Sequence, residues 1–233
     1  MPNLNGAQAI VEGLLAHGVD TVFGIPGIQL DPLFDALYAS RDRIRTVHTR
    51  HEQGAAFMAM GYAQATGRVG VFTAVPGPGM LNAMAAVSTA VAAGQPVLCI
   101  TGQIPSYQMA KNWGNAHELR DQLAVSRGVV SWAQRADHPH PVPELLEDAF
   151  RAMTQGRLGP AVLEMAPDRL AFSEQVLVRE SPSGASSSEP DSMLIKQAVT
   201  RLCAAQNPVI VIGGGGIAAA GLSSSWQKTS VFQ

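Results

Sequence analysis

Val69-Gly70-Val71-Phe72-Thr73-Ala74-Val75-Pro76-Gly77-Pro78-Gly79 is an apolar segment that runs directly into two Pro-Gly pairs. The apolar part predicts a buried β-strand over 69–75, and the Pro-Gly pairs predict a turn. The Ala-rich segment at about 81–93 then predicts a helix. A strand, a glycine-rich turn and a helix in this order form the repeating unit of an open α/β sheet.

The same order of strand and loop recurs at three other places in the chain. Chemically distinctive residues follow short apolar segments at Gly24-Ile25-Pro26-Gly27, at Arg50-His51-Glu52-Gln53-Gly54 and at Thr101-Gly102-Gln103. The carboxyl ends of parallel strands meet at one edge of a sheet, and ligands bind there in such folds. The four loops therefore predict one ligand site at that edge, built around a single carboxylate, Glu52.

Residues 5–175 alternate predicted helices and strands with short connections. The helices are predicted from the Asn5 cap to Gly18 and at 31–39, 52–65, 81–93 and 143–153. Six strands are predicted at 21–23, 44–47, 69–75, 96–101, 129–132 and 161–165. The fold class is therefore α/β, a doubly wound six-stranded parallel sheet with helices on both faces.

The composition changes after this region. Residues 176–192 include the run Ser181-Pro182-Ser183-Gly184-Ala185-Ser186-Ser187-Ser188-Glu189-Pro190, which is typical of a linker. A second α/β unit is predicted over 193–233, with a helix at 193–205, a strand at 208–212 and a glycine turn at 213–216. One helix and one strand cannot bury a core, so we expect this unit to be the truncated start of a further domain.

Composition excludes several classes of function. Apolar residues make up 46% of the chain, charged residues 15%, and the formal net charge is −2, so no nucleic acid or anionic membrane is expected as a partner. The first five residues lack the basic and apolar regions of a signal peptide. Cys99 and Cys203 lie in apolar contexts without metal-ligand spacing, and both are predicted to be buried free thiols of a cytoplasmic protein.

Glu52 is open to two interpretations. A lone carboxylate beside a cleft can act as a general acid or base. A glutamate at a helix start can also serve only to stabilise the helix through its dipole. The neighbouring His48 and His51 have no metal-ligand spacing with Glu52, so no metal site is predicted within the chain.

The Pro76-Gly77-Pro78-Gly79 loop is the more specific signal. Two prolines fix the backbone and two glycines remove side chains, so a flat ring can approach main-chain groups here. Asn82, one turn further on, can hydrogen-bond such a ring. The alternative is an ordinary turn between a strand and a helix. Pro26 and Gly27 make the same case more weakly.

A third pattern points to a different class of protein. Gly213, Gly215 and Ala218 fit the G-x-G-x-x-A pattern that holds a pyrophosphate at a helix N-terminus. A run of four glycines fits this pattern easily by chance. A Rossmann-type nucleotide-binding protein would carry its glycine fingerprint after the first strand, where this chain has Gly24-Ile25-Pro26-Gly27.

Taken in order, the motifs resemble the N-terminal, pyrimidine-binding domain of thiamine-diphosphate-dependent enzymes, nearest the acetolactate synthase group. The resemblance spans residues 5–168. Its matching stretches are 18–27, 50–56, 61–67, 76–79 with Asn82, 101–103 and 159–164.

That resemblance implies a role for each candidate residue. Glu52 would hydrogen-bond N1′ of the aminopyrimidine and so activate the cofactor to attack a 2-oxo acid such as pyruvate. Pro26, Gly27, Pro76, Gly77, Pro78, Gly79 and Asn82 would bind the cofactor. Gln103 would face a substrate or a flavin.

The resemblance also implies what lies outside this chain. In the family, a separate domain with a Gly-Asp-Gly motif holds the diphosphate and its Mg²⁺, and no Gly-Asp-Gly occurs here. The chain therefore resembles roughly the first two-fifths of such an enzyme, which in full length forms a homodimer or tetramer and can bind FAD.

Ile28 stands where acetolactate synthases have a small residue, so a 2-oxo acid decarboxylase or another carboligase fits as well. A catalytically inactive fragment or pairing subunit that keeps the fold is the alternative from a different class.

Overall fold

The computed structural model describes residues 1–179 and 190–209, together with the isolated positions 211, 213 and 216. The chain divides into two compact units, Met1–Ala185 and Ser186–Gln233, and the division falls within the predicted linker. Most of the Ser-rich run in that linker lies outside the described residues. The predicted ligand loops all belong to the first unit.

The first unit alternates strands and helices. Its strands are β1 (Asn3–Asn5), β2 (Thr21–Gly24), β3 (Arg45–His48), β4 (Gly70–Ala74), β5 (Val97–Thr101), β6 (Trp132–Arg135), β7 (Ala161–Glu164) and β8 (Ser173–Gln175). Its helices are α1 (Gly6–Ala16), α2 (Asp31–Ala39), α3 (Glu52–Thr66), α4 (Pro78–Ala93), α5 (Gln122–Arg127), α6 (Val142–Thr154) and α7 (Pro167–Ala171). Short 3₁₀ turns occupy Ile28–Leu30 and Ser106–Gln108.

Local sequence explains where these helices start and stop. The Asn5 side chain accepts a hydrogen bond from the Gln8 N–H at 2.8 Å, and the Gln8 side chain accepts one from the Asn5 N–H at 3.0 Å. This reciprocal capping box begins α1. Gly67 ends α3 in the left-handed conformation, with φ of +70°.

Six of the strands form one parallel sheet in the order β3-β2-β4-β5-β7-β6. The predicted doubly wound fold is therefore confirmed. From β2 the chain moves to β3 on one side, and β4 then lies on the other side of β2. The crevice between the carboxyl ends of β2 and β4 is the switch point at which such sheets bind ligands.

Separate cores cover the two faces of the sheet. On one face α1, α2 and α6 bury residues that include Ile10, Leu33 and Leu146. On the other face α3 and α4 bury mainly small residues, and Phe72 and Met80 fill the remaining space. Small side chains let α3 approach the sheet closely. A Cβ on Gly70 would stand 1.9 Å from the Ala59 carbonyl oxygen.

The starts of β6 and α4 differ from the sequence prediction, and some elements were not predicted. Strand β6 begins at Trp132 rather than Val129, because the N–H groups of Val129 and Val130 bond back to the Ser126 carbonyl at the end of α5. Helix α4 begins three residues earlier than predicted because Pro78 occupies its first turn. Helix α5 and the antiparallel pair of β1 with β8 were not predicted.

The second unit is described through one helix. Helix α8 (Ser192–Ala204) confirms the predicted helix, and the Asp191 side chain caps it by accepting from the Met193 N–H at 2.8 Å. The prediction that Cys203 is buried is wrong, because α8 exposes it; Cys99 is buried as predicted. Burial raises the pKa of the Cys99 thiol, so it stays protonated. In the predicted strand at 208–212 and the predicted glycine turn at 213–216, positions 210, 212, 214 and 215 lie outside the described residues.

Among the helices of the described residues, none combines the length and the apolar character that crossing a membrane requires.

Candidate functional site

Glu52 lies at the carboxyl edge of the sheet as the first residue of α3. The capping residue is His51, whose ring Nδ1 accepts a hydrogen bond from the Gln53 N–H at 3.2 Å. The Glu52 side chain is half-buried and turns toward α4 instead, where Asn82 Nδ2 donates to its Oε2 at 3.1 Å. Because His51 provides the cap, the Glu52 carboxylate is free to serve another purpose than capping.

The Pro76–Gly79 loop has a conformation that only glycine adopts readily. Gly77 has φ of +59° and ψ of −116° and precedes the first turn of α4. A Cβ at this position would also stand 2.6 Å from the His117 carbonyl oxygen. Pro76, Gly77 and Gly79 are buried, whereas Pro78 is exposed.

Gly79 packs closely beside the Glu52 carboxylate. A Cβ on Gly79 would stand 3.2 Å from Glu52 Oε1 and 2.5 Å from Val75 Cγ2, so this position admits no side chain without a shift of its neighbours. Within the described part of the chain, Asn82 is the hydrogen-bond partner of Oε2, and Oε1 has none. The site therefore presents one oriented carboxylate with an uncommitted oxygen, beside the main chain of Gly79.

Pro26 and Gly27 lie in the loop after β2. Gly27 packs against the end of β4, because a Cβ on it would stand 2.4 Å from Val75 Cγ1. Pro26 is exposed and Gly27 half-exposed, and the following Ile28 has 76% of its surface exposed. The loops after β2 and β4 therefore border the switch-point crevice together.

Gln103 lies at the same edge but is buried. Its Nε2 donates to Glu164 Oε1 at 3.1 Å, and its Oε1 accepts from the Ile104 N–H at 2.8 Å. Both ends of the amide are thus engaged inside the chain. The contact of Gln103 with a substrate or flavin stays a prediction.

Sequence reasoning missed a buried polar network behind these loops. The Glu164 carboxylate is fully buried at the end of β7, where Arg135 Nε donates to Oε1 at 2.5 Å. Gln122 Nε2 donates to Glu164 Oε2 at 2.8 Å. An acidic residue at the end of the apolar strand Ala161–Glu164 was the one signal in the sequence, because a buried charge needs a partner.

His117 is a second residue that the analysis of the sequence left without a role. It has φ of +70°, unusual for a residue with a side chain, and its Nδ1 lies 2.9 Å from Gln29 Nε2. The His117 carbonyl packs against Gly77, as described above. The long loop after β5 is thereby held over the Pro-Gly turn.

Comparisons with known proteins agree with this arrangement. Residues 4–125 match the profile of the family described as thiamine pyrophosphate enzyme, N-terminal TPP binding domain. Over 221 residues the chain is 37% identical to a probable 2-ketoarginine decarboxylase, AruI, of Pseudomonas aeruginosa, covering 93% of this chain and 38% of that protein.

Two acetolactate synthases show the same pattern of coverage. The large subunit from Corynebacterium glutamicum is 36% identical over 220 residues, which is 93% of this chain and 34% of that protein. The isozyme 3 large subunit from Escherichia coli is 34% identical over 227 residues, which is 94% of this chain and 38% of that protein. The chain thus spans between about a third and two-fifths of the length of these relatives.

Proposed function

The chain belongs to the thiamine pyrophosphate enzymes and carries their N-terminal TPP-binding domain. On that premise we propose that it is the pyrimidine-binding portion of a 2-oxo acid carboligase or decarboxylase, in which Glu52 activates the cofactor. Membership of the family rests on the match over residues 4–125. The role of Glu52 rests on the geometry around its carboxylate.

The observation that carries the proposal is the uncommitted oxygen of Glu52. Asn82 holds Oε2 of the Glu52 carboxylate with a hydrogen bond of 3.1 Å. The other oxygen, Oε1, lies beside Gly79, at 3.2 Å from the position that a Cβ on Gly79 would take. A planar aminopyrimidine suits this carboxylate, because it presents a ring nitrogen to the acid and a flat face to the glycine and proline residues of the loop. The residues present therefore fit the pyrimidine end of thiamine diphosphate.

Each residue of the site contributes a separate action. Glu52 holds or releases a proton at the ring nitrogen, and Asn82 keeps the carboxylate in the orientation that this transfer needs. Gly77 and Gly79 let the main chain approach the ring, the buried Pro76 fixes the backbone before Gly77, and Pro78, Pro26 and Gly27 border the site. When bound, the cofactor supplies the carbon nucleophile that attacks a 2-oxo acid. Gln103 would lie toward the substrate or a flavin.

The substrate class follows from the relatives' names. One is a probable 2-ketoarginine decarboxylase and others are acetolactate synthases, so a 2-oxo acid such as pyruvate is the proposed substrate. Mg²⁺ is proposed to be held by the separate diphosphate-binding domain of a full-length enzyme. FAD is proposed as a further cofactor of such an enzyme.

We assign residues 1–175 to the pyrimidine-binding domain, 176–192 to a linker and 193–233 to the start of a central Rossmann-like domain. A homodimer or tetramer is the proposed assembly. Its support is the apolar surface that α3 and α4 leave exposed on the side away from the sheet, where Phe57, Met58 and Leu81 are each 43–45% exposed.

Removal of the cofactor from a complete enzyme that carries this domain tests the proposal. Decarboxylation of pyruvate and of 2-ketoarginine should disappear after thiamine diphosphate is dialysed away, and should return when it is added back with Mg²⁺. Activity that persists without thiamine diphosphate would overturn the proposed function.

A further inference from the structure

Gln122 has all the polar groups of its side chain engaged with the strand ends around the site. It is the first residue of α5 and is 1% exposed. Its Oε1 accepts from the Gly77 N–H at 2.8 Å. Its Nε2 donates to the Gly102 carbonyl and to Glu164 Oε2, both at 2.8 Å.

These partners fix the orientation of the amide. The Gly77 N–H is a donor and needs the oxygen, whereas a carbonyl and a carboxylate are acceptors and need the NH₂ group. No other neutral side chain of this length offers one acceptor and two donors in that arrangement. Gln122 therefore joins the loop after β4, the loop after β5 and the end of β7.

Gly77 depends on this contact more than an ordinary backbone group would. Its N–H is buried and precedes α4, so it has no carbonyl of the helix to bond to. A buried N–H without a partner is costly. The conformation of Gly77 is also one that the chain adopts only when its surroundings hold it there.

Gly77 in turn sets the start of α4. The Leu81 N–H bonds to the Gly77 carbonyl at 2.9 Å in the first turn. That turn places Gly79 beside Glu52. Asn82, the residue after Leu81, bonds to the Glu52 carboxylate. A shift at Gly77 therefore moves both groups that define the environment of Glu52.

We propose that Gln122 is a positioning residue that holds Gly77, and through it the start of α4, in register with Glu52. Among the described residues it hydrogen-bonds to neither Glu52 nor Asn82, and it acts through the backbone of Gly77. The consequence for catalysis rests on the function proposed above, whereas the consequence for Gly77 does not.

The first test measures amide hydrogen exchange at Gly77 by NMR in the 233-residue chain. Gln122→Met keeps the length and removes the hydrogen bonds, so exchange at Gly77 should become about 5- to 150-fold faster, the factor equivalent to an unsatisfied buried group. Gln103→Met is the matched control. It removes a neighbouring glutamine bond to Glu164 and leaves Gly77 bonded, so exchange at Gly77 should stay close to that of the unmodified chain.

Unchanged protection of Gly77 in Gln122→Met would overturn the proposal, and so would equal acceleration in both variants. If Gln122→Met fails to fold, a measurement on the unmodified chain still tests the proposal. A scalar coupling across the hydrogen bond, between the Gly77 nitrogen and the Gln122 side-chain carbonyl carbon, should be detectable. Absence of that coupling would sink the proposal.

The second test concerns catalysis in a complete enzyme carrying this domain. Gln122→Met should slow proton exchange at C2 of thiamine diphosphate by roughly tenfold and raise the KM for the cofactor, and Gln122→Glu should not restore the rate, because it loses both donors. Normal C2 exchange in Gln122→Met would show that holding Gly77 has no catalytic consequence and would overturn that part. If Glu52→Gln also leaves C2 exchange unchanged, the proposed function fails, while the exchange at Gly77 still decides the structural role of Gln122.

Discussion

Asn82 Nδ2 donates to Glu52 Oε2 at 3.1 Å, and this bond joins helices that follow different strands of the sheet. Helix α3 follows the outermost strand β3, and α4 follows β4, on the opposite side of β2. The bond therefore spans the switch point, and it leaves the second oxygen of Glu52 uncommitted.

Replacing that acid should abolish activation and spare the fold. In a complete enzyme carrying this domain, Glu52→Gln should reduce turnover by about 10²- to 10⁴-fold, the usual contribution of general acid–base catalysis. Glutamine fills the same volume but cannot exchange a proton with the ring nitrogen. The measurement is the rate of C2 proton exchange together with kcat.

The matched control for that variant is Glu144→Gln. Glu144 is an exposed carboxylate in the first turn of α6, where it is the third residue of its helix. It should leave C2 exchange and turnover unchanged. Near-normal C2 exchange in Glu52→Gln would mean that Glu52 is only a residue at a helix start.

Asn82→Ala should lower kcat by about tenfold, which corresponds to roughly 1.4 kcal/mol, because a hydrogen bond to a charged group is lost. The same change in a Glu52→Ala background should cost little, because no carboxylate is left to orient. A double-mutant cycle measures this coupling. Additive losses would indicate that Asn82 acts on the cofactor independently of Glu52.

Gly77→Ala should lower the free energy of unfolding by about 1–3 kcal/mol, because the new Cβ meets the His117 carbonyl and the backbone has positive φ. Gly61→Ala is the control. It lies inside α3 with open space around its Cβ, and should raise stability by about 0.4–1 kcal/mol. Urea denaturation compares the two, and equal stability of both variants would contradict the close packing at Gly77.

The isolated chain should bind thiamine diphosphate and Mg²⁺ weakly and should not decarboxylate pyruvate. The pyrimidine site contacts one end of the cofactor, and the described residues hold no cluster that could carry the metal of the diphosphate. Calorimetry is the direct measurement. Micromolar binding with measurable turnover would require a diphosphate site within these 233 residues.

Asp20 links the far end of α3 to the sheet, and its contribution to the free energy of unfolding should depend on pH. Its hydrogen bonds from Tyr62 and Arg68 lower the pKa of the Asp20 carboxyl. A lowered pKa adds stability above the pKa of the unfolded chain, and that stability disappears as the pH falls through the folded value.

Asp20→Asn should therefore cost less than about 1 kcal/mol at pH 7, since the Asp20–Arg68 pair is exposed, and this cost should decrease as the pH is lowered through the folded pKa of Asp20. Thermal unfolding as a function of pH is the measurement. A cost for Asp20→Asn that does not decrease as the pH falls would contradict the assignment.

The sequence predicted the features that depend on neighbouring residues, namely the positions of the strands and the ends of several helices. Strands such as 96–101 are continuous apolar runs, and residues such as Asn5 and Gly67 mark where helices begin and end, so the fold and the grouping of the four loops could be predicted. The order of the strands made the loops neighbours, and right-handed crossovers restrict the orders that such a sheet can take.

The network around Gln122 could not be predicted, because its partners lie 20, 42 and 45 residues away in the sequence. Nothing in its own neighbourhood distinguishes this glutamine from an exposed one. The pairing of β1 with β8 was missed for the same reason, since three-residue strands carry little pattern.

That pairing has a consequence for how the domain is made. Asn3–Asn5 leave the ribosome some 170 residues before their partners Ser173–Gln175, and the Val176 N–H bonds to the Pro2 carbonyl. Strand β1 therefore stays without its partner strand until nearly the whole sheet has been translated. The domain completes its fold only near the end of its own synthesis, when strands β1 and β8 pair.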